Sequence, residues 1–215
     1  MYIVKSRERL INIGLATVLL LILVWLLCHK SATIVLLNEV CRQIILKFIE
    51  IPHVLGILIG VLSAPLTCSL YIIGLWFVLW GKKHKMIVAW VLMMFFIGQI
   101  GLKIISLMLH LIIHGHAAFA FLNGTVFSII LLVYAVYVAV IPLIRRSTGW
   151  ILMLVLFCFA MLTIVIVMQK AQVGLMDTIA TLMLGYIWVQ ISEAAYLRWF
   201  INWQDRRIFR HSDFN

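Results

Sequence analysis

The sequence predicts an all-α membrane protein in which six helices cross the bilayer and a further helix lies at its surface. Of the 215 residues, 66% are hydrophobic and only 11% are charged. Soluble domains are about half apolar and about a quarter charged, so this composition indicates a polytopic membrane protein. Each span needs about 20 apolar residues, and six spans with short connections account for residues 1–215 as one membrane domain.

The apolar runs place these helices in order. A first helix at about residues 10–28 follows three basic residues, and we interpret it as a retained span because no small-residue cleavage site follows it. Polar residues recur at helical spacing over about 31–50, which predicts an amphipathic helix at the membrane surface. Five further spans are predicted at about 54–80, 86–110, 117–141, 150–168 and 174–200, followed by a basic tail at 201–215.

The basic residues predict how the bundle is oriented. With six spans, twelve Lys and Arg residues fall on one side of the membrane and five on the other. Because basic residues are enriched in cytoplasmic loops, we expect both termini in the cytoplasm and residues 103–124 at the outer face. The net charge of +10 is thereby explained, and no basic, aromatic-interleaved soluble segment indicates nucleic-acid binding.

One stretch of the chain places ionisable side chains in an otherwise apolar sequence, namely Lys103, His110, His114 and His116. Such groups are costly at bilayer depth, so a cluster of them indicates function. Lys103, His110 and His114 would share one face if the third predicted span continued that far. A plainer interpretation is that the histidines lie at the hydrated end of a span and have no role.

A second polar stripe is predicted on the last span, where Asp177, Thr181 and Gly185 follow one another at steps of four residues. Asp177 has two interpretations, because an acidic residue also stabilises a helix N-terminus. If both stripes reach the outer face, they predict a cleft for a lipid headgroup. We expect Lys103 and Lys170, with the histidines, to bind its phosphate.

A metal site is an alternative interpretation of the same residues. His110, His114 and His116 have the spacing H-x3-H-x-H, and Asp177 would supply a fourth ligand. The nearby ammonium of Lys103 would repel a cation, so we expect neither a metal nor another cofactor.

These residues resemble the type 2 phosphatidic acid phosphatase superfamily, whose membrane members include undecaprenyl-diphosphate and phosphatidylglycerophosphate phosphatases. The family pattern is K-x6-R-P, then P-S-G-H, then S-R-x5-H-x3-D, in a six-helix bundle with an active site at the outer face. Lys103 is similar to the first lysine, although His110 stands at the arginine position. Residues 113–118 (IHGHAA) resemble the second motif, with His114 at the serine position and His116 at the histidine. Asp177 is similar to the last aspartate.

The resemblance implies a site that lacks the family's catalytic histidine and arginine. Counting back from Asp177, the family's nucleophilic histidine falls at Val173 and its arginine at Val167. We therefore expect a catalytically degenerate member that binds a lipid or lipid phosphate, or is an accessory subunit of a membrane protein partner. The alternative is an active phosphatase or phosphotransferase acting on a phospholipid or polyprenyl (di)phosphate, with His110, His114 or His116 as the reacting group and Asp177 orienting it, as the resemblance implies.

A transporter or channel is a third class of function. Such a protein typically shows internal repeats or helices broken near the midplane, and the sequence contains no convincing repeat. From the family's distribution we expect a multi-pass protein of a bacterial cytoplasmic membrane.

Overall fold

The computed structural model describes the backbone of residues 6–28, 32–49, 51–82, 84–112, 122–170 and 173–204. This part of the chain contains no β-strand, which confirms the predicted all-helical fold for the described residues. A short 3-10 turn lies at Ile141–Leu143, and the described α-helices are α1 (Ser6–Cys28), α2 (Ala32–Phe48), α3 (His53–Leu62), α4 (Pro65–Gly81), α5 (Lys85–Ile112), α6 (Gly124–Ala139), α7 (Arg146–Lys170) and α8 (Leu175–Gln204).

The helices are those of a multi-pass membrane protein. Among the described residues, α1, α5, α6, α7 and α8 are each long and apolar enough to cross a membrane. Helices α3 and α4 are bent by 52° relative to each other and form a sixth span if they cross together. The single helix predicted at 54–80 is therefore divided in two.

The division between α3 and α4 has a local chemical cause. Pro65 is the first residue of α4, where its missing N–H would have no partner, and Ala64 before it is extended. Pro65 has no N–H to donate to the Val61 oxygen, which instead accepts the Thr67 hydroxyl at 2.7 Å and the Ala64 N–H at 3.3 Å. Membrane proteins satisfy broken backbone in this way.

Helix α6 lies at the centre of the bundle and packs against α4, α5, α7 and α8. Phe127, Leu131 and Ala135 of α6 are almost fully buried in this core. One close contact joins α5 to α8: a Cβ on Gly98 would lie 2.6 Å from Nε1 of Trp188. The glycine lets this indole approach α5 and donate to the Met94 oxygen at 3.0 Å.

The two N-terminal helices lie at the edge of the bundle. Helix α1 packs on α8, and α2 contacts both α7 and α8. The amide oxygen of Asn38 in α2 accepts the Met176 N–H at 3.1 Å, and Gln169 donates to the Ile49 oxygen at 2.9 Å. We call this end of the bundle, with the starts of α6 and α8, the α2 end.

Candidate functional site at the α2 end

The carboxylate of Asp177 accepts a hydrogen bond from the backbone of its own helix. Its Oδ2 lies 2.9 Å from the Gly174 nitrogen, just before the first residue of α8. A carboxylate three residues into a helix that accepts this N–H forms half of a capping box and also meets the positive end of the helix dipole. Asp177 therefore stabilises the start of α8.

Thr181 carries the same polar stripe into the contact between α8 and α6. Its fully buried hydroxyl donates to the Asp177 carbonyl at 2.9 Å and accepts the Asn123 N–H at 3.2 Å. Farther along, a Cβ on Gly185 would lie 3.0 Å from the Ile130 side chain. The Thr181 and Gly185 part of the predicted stripe is thus packed against α6 and does not line an open cleft.

Asn123 determines where α6 begins. Its side-chain oxygen accepts the N–H groups of Thr125 and Val126 at 2.9 and 3.2 Å, which is the N-cap arrangement for asparagine. The predicted start at about residue 117 is thus earlier than the start at Gly124. The signal was present in the sequence, since asparagine before an apolar run is a typical N-cap.

A partly buried amide–hydroxyl pair links α5 to α6 near the same level. Gln99 donates from Nε2 to the Ser128 hydroxyl at 2.9 Å, and that hydroxyl donates to the Gly124 oxygen at 2.6 Å. Neither residue stands out in the sequence. The pair satisfies polar groups inside an apolar core, where an unpaired group is costly.

Lys103 differs from these satisfied groups because its side chain is exposed on the surface of the bundle. It emerges among apolar residues that are themselves exposed: Ile100, Ile104 and Leu107. No carboxylate of the described residues forms an ion pair with it. It lies 18 positions after Lys85, the start of α5, which at about 1.5 Å per residue is about 27 Å along the helix.

Two helix N-termini meet at Leu102, the residue before Lys103. A Cβ on Gly124 would lie 3.7 Å from Pro65 and 3.9 Å from Leu102. Helix α4 begins there without a side-chain cap. Helix N-termini carry a partial positive charge, so this junction and the lysine favour an anion at the α2 end.

The remaining residues of the predicted site cannot be placed. The side chains of His110 and Lys170, and the whole of His114 and His116, lie outside the described residues. Helix α5 continues to Ile112 and so contains His110. Within the described part of the chain, no group of three or more His, Cys, Asp or Glu residues has metal-binding geometry, and the H-x3-H-x-H interpretation stays untested.

A second polar cluster lies at the other end of the bundle. Arg9 of α1 forms an ion pair with Glu193 of α8 at 3.4 Å, and the Tyr134 hydroxyl of α6 donates to the same carboxylate. Trp90 of α5 donates to the Ser192 oxygen at 3.1 Å. The sequence predictions do not include this cluster, although an acidic residue late in an apolar helix is a signal for one.

Comparisons with known proteins do not assign the chain to a family. No protein-family model matches it, and no curated protein or solved structure matches it either. The resemblance to the type 2 phosphatidic acid phosphatase superfamily therefore stays a prediction that depends on residues 103–118 and Asp177.

Proposed function

We propose that this protein binds the phosphate group of a membrane lipid at its α2 end and does not hydrolyse it. The main support for this proposal is Lys103, which is an exposed cation on an apolar helix surface. At about 27 Å from the start of α5 it lies near the edge of a hydrocarbon layer about 30 Å thick. A lysine at that depth extends its ammonium toward the headgroups, where lipid phosphates supply the counter-charge.

The neighbouring backbone supports an anionic ligand. The N-termini of α4 and α6 meet next to Leu102, and their dipoles add positive potential beside the lysine. In the proposal His110, His114, His116 and Lys170 contribute further donors. The positive-inside rule makes the α2 end the outer one, so the ligand is a lipid of the outer leaflet.

The state of Asp177 favours binding over catalysis. A carboxylate that accepts a backbone N–H at the start of α8 is committed to capping, and it is less available to orient a reacting imidazole. The sequence also lacks a histidine between His116 and His211 to act as the family's nucleophile. We accordingly propose a degenerate relative of the type 2 phosphatidic acid phosphatases that binds lipid or assists a membrane protein partner. The alternative remains an active enzyme using His110, His114 or His116.

The test compares lipid binding by matched variants of the purified full chain in detergent. Native mass spectrometry is used to titrate phosphatidic acid and undecaprenyl phosphate, with phosphatidylcholine as a reference lipid. We expect Lys103→Gln to weaken binding of the phosphate monoesters about tenfold, since a charge-assisted hydrogen bond contributes about 1.5–3 kcal/mol. Arg42→Gln, which removes an exposed cation from α2, is expected to leave binding unchanged.

Two results would contradict the proposal in different ways. Equal binding of these lipids by Lys103→Gln and by the unaltered protein would contradict a lipid-phosphate site at Lys103. Release of inorganic phosphate from these lipids or from undecaprenyl diphosphate, lost in His116→Ala, would instead establish the active enzyme and exclude the degenerate one.

The bend between α3 and α4 favours a second candidate, a small transporter. Broken helices occur at transporter binding sites, and α3 and α4, bent by 52° relative to each other, form one if they cross the membrane together. Proteoliposomes loaded with labelled inorganic phosphate or a labelled lipid headgroup test this candidate. Movement of the label that requires the protein and is lost in Pro65→Ala would favour transport over binding alone.

A further inference from the structure

A group of basic residues lies at the end of the bundle opposite α2. The α4–α5 turn contributes Lys82 and Lys85, the α6–α7 connection contributes Arg145 and Arg146, and α8 contributes Arg198. We call these five residues the basic rim. None of them forms an ion pair with a carboxylate among the described residues, and Glu193, at the same end, is paired with Arg9.

The connections that carry the rim lie close together in the fold. Leu79 at the end of α4, Met86 at the start of α5 and Ala139 at the end of α6 belong to one buried core cluster. The two turns that follow or precede these residues therefore flank the same part of the bundle. The rim is a property of the tertiary structure, since its members come from three separate stretches of sequence.

Aromatic side chains accompany the rim. The ammonium of Lys85 lies over the Trp80 ring at 5.5 Å from its centroid. Trp150 and Trp199, near the rim residues of α7 and α8, are 70% and 53% exposed. Tryptophan is enriched at the boundary between hydrocarbon and headgroups, so these rings place the rim at headgroup depth.

We propose that the basic rim is a binding surface for glycerophospholipids that carry a net negative charge. Exposed guanidinium and ammonium groups at headgroup depth meet phosphodiester groups first, and the arginines bind them through two parallel hydrogen bonds. A zwitterionic lipid offers the same phosphate but adds a neighbouring cation, so the rim discriminates against it. This surface is separate from Lys103 and belongs to the opposite leaflet, and it does not depend on the function proposed above.

The test measures lipid preference in the full-length protein. Native mass spectrometry in detergent compares binding of phosphatidylglycerol and phosphatidylcholine to the unaltered chain, which we expect to prefer phosphatidylglycerol at least tenfold. Each basic residue near an anionic surface changes affinity about fivefold. The variant Lys82→Gln/Arg145→Gln/Arg146→Gln is therefore expected to lose most of that preference.

Two further variants distinguish charge from fold. Lys82→Arg/Arg145→Lys/Arg146→Lys keeps the charges and is expected to keep most of the preference, whereas Arg42→Gln removes a cation from the α2 end and is expected to keep all of it. If the triple glutamine variant does not fold, Arg145→Gln alone is measured and is expected to bind phosphatidylglycerol about fivefold more weakly. Equal binding of the two lipids by the unaltered chain, or an unchanged preference in the glutamine variants, would overturn the proposal.

Discussion

Removing the negative partner of Arg9 should weaken the attachment of α1 to the bundle. In Glu193→Gln the new amide still accepts the Tyr134 hydroxyl, so the change removes mainly the charge. The Arg9 side chain is 7% exposed and that of Glu193 is 20% exposed, which leaves little water to replace the lost partner. Breaking a buried pair costs about 3–5 kcal/mol, and the partial exposure of Glu193 places the expected loss near the lower limit.

The dependence on this pair follows from how little else holds α1. Only 11% of the α1 span is buried in the protein, against 44% for α6. The apolar contacts of α1 with α8 therefore contribute less than those of a central helix. An ion pair between the two helices makes up a correspondingly larger share of their association.

A double-mutant cycle measures this coupling. Arg9→Met, Glu193→Gln and the combined variant are unfolded by increasing the mole fraction of sodium dodecyl sulfate in mixed micelles, and tryptophan fluorescence follows the transition. Each single change should cost about 3 kcal/mol. The double variant should cost at least about 2 kcal/mol less than the sum, because no buried charge is then left unpaired.

The exposed pair Arg42–Glu39 provides the control. Its atoms are 3.8 Å apart and its side chains are 47% and 52% exposed, so the same cycle there should give a coupling below about 0.5 kcal/mol. Additive effects at Arg9 and Glu193, or equal couplings at the two pairs, would refute the argument that burial makes the α1–α8 pair important.

Three further changes test particular contacts. Gly98→Ala places a methyl group 2.6 Å from the Trp188 indole and should lower the free energy of unfolding by about 1–3 kcal/mol in the same micelle assay; an unchanged value would contradict the contact. Gly174→Ala places a methyl group against the side-chain amide of Asn38 in α2 and should accelerate hydrogen exchange in residues 32–48. Unaltered exchange there would contradict the contact. Tyr134→Phe loses a hydrogen bond to a carboxylate and should cost about 1.5–3 kcal/mol by micelle unfolding, whereas a neutral effect would show that water replaces the hydroxyl.

Much of the fold follows from the sequence because hydropathy is a local property. The span predicted at 86–110 corresponds to α5 at Lys85–Ile112, and that at 150–168 to α7 at Arg146–Lys170. The break between α3 and α4 could not be predicted in the same way, although Pro65 is present in the sequence. A proline kinks or ends a span according to whether side chains such as Thr67 can satisfy the freed carbonyls, and that depends on the fold around it.

The candidate site was less predictable because helical periodicity assigns residues to a face without saying what that face meets. The sequence allows Asp177 to be either a site residue or a helix cap, and its hydrogen bond to the Gly174 nitrogen supports the cap. Thr181 was correctly placed on its stripe, yet the stripe meets α6. The pairing of Arg9 with Glu193 joins residues far apart in the chain, and Arg9 alone was explained by the positive-inside rule.

The two ends of the bundle differ in how many basic side chains they expose, and this contrast supports two separate lipid contacts. At the α2 end the described polar groups of α8 and α6 satisfy one another through capping, and the exposed Lys103 is left over on an apolar surface. At the opposite end a buried pair neutralises Arg9, whereas four of the five residues of the basic rim are exposed and the fifth, Lys85, lies over the Trp80 ring. A single lysine among apolar residues selects for one strongly charged group such as a phosphate monoester. Several cations spread around a rim select instead for the average charge of a leaflet, so the two proposed surfaces should differ in how sharply they distinguish one anionic lipid from another.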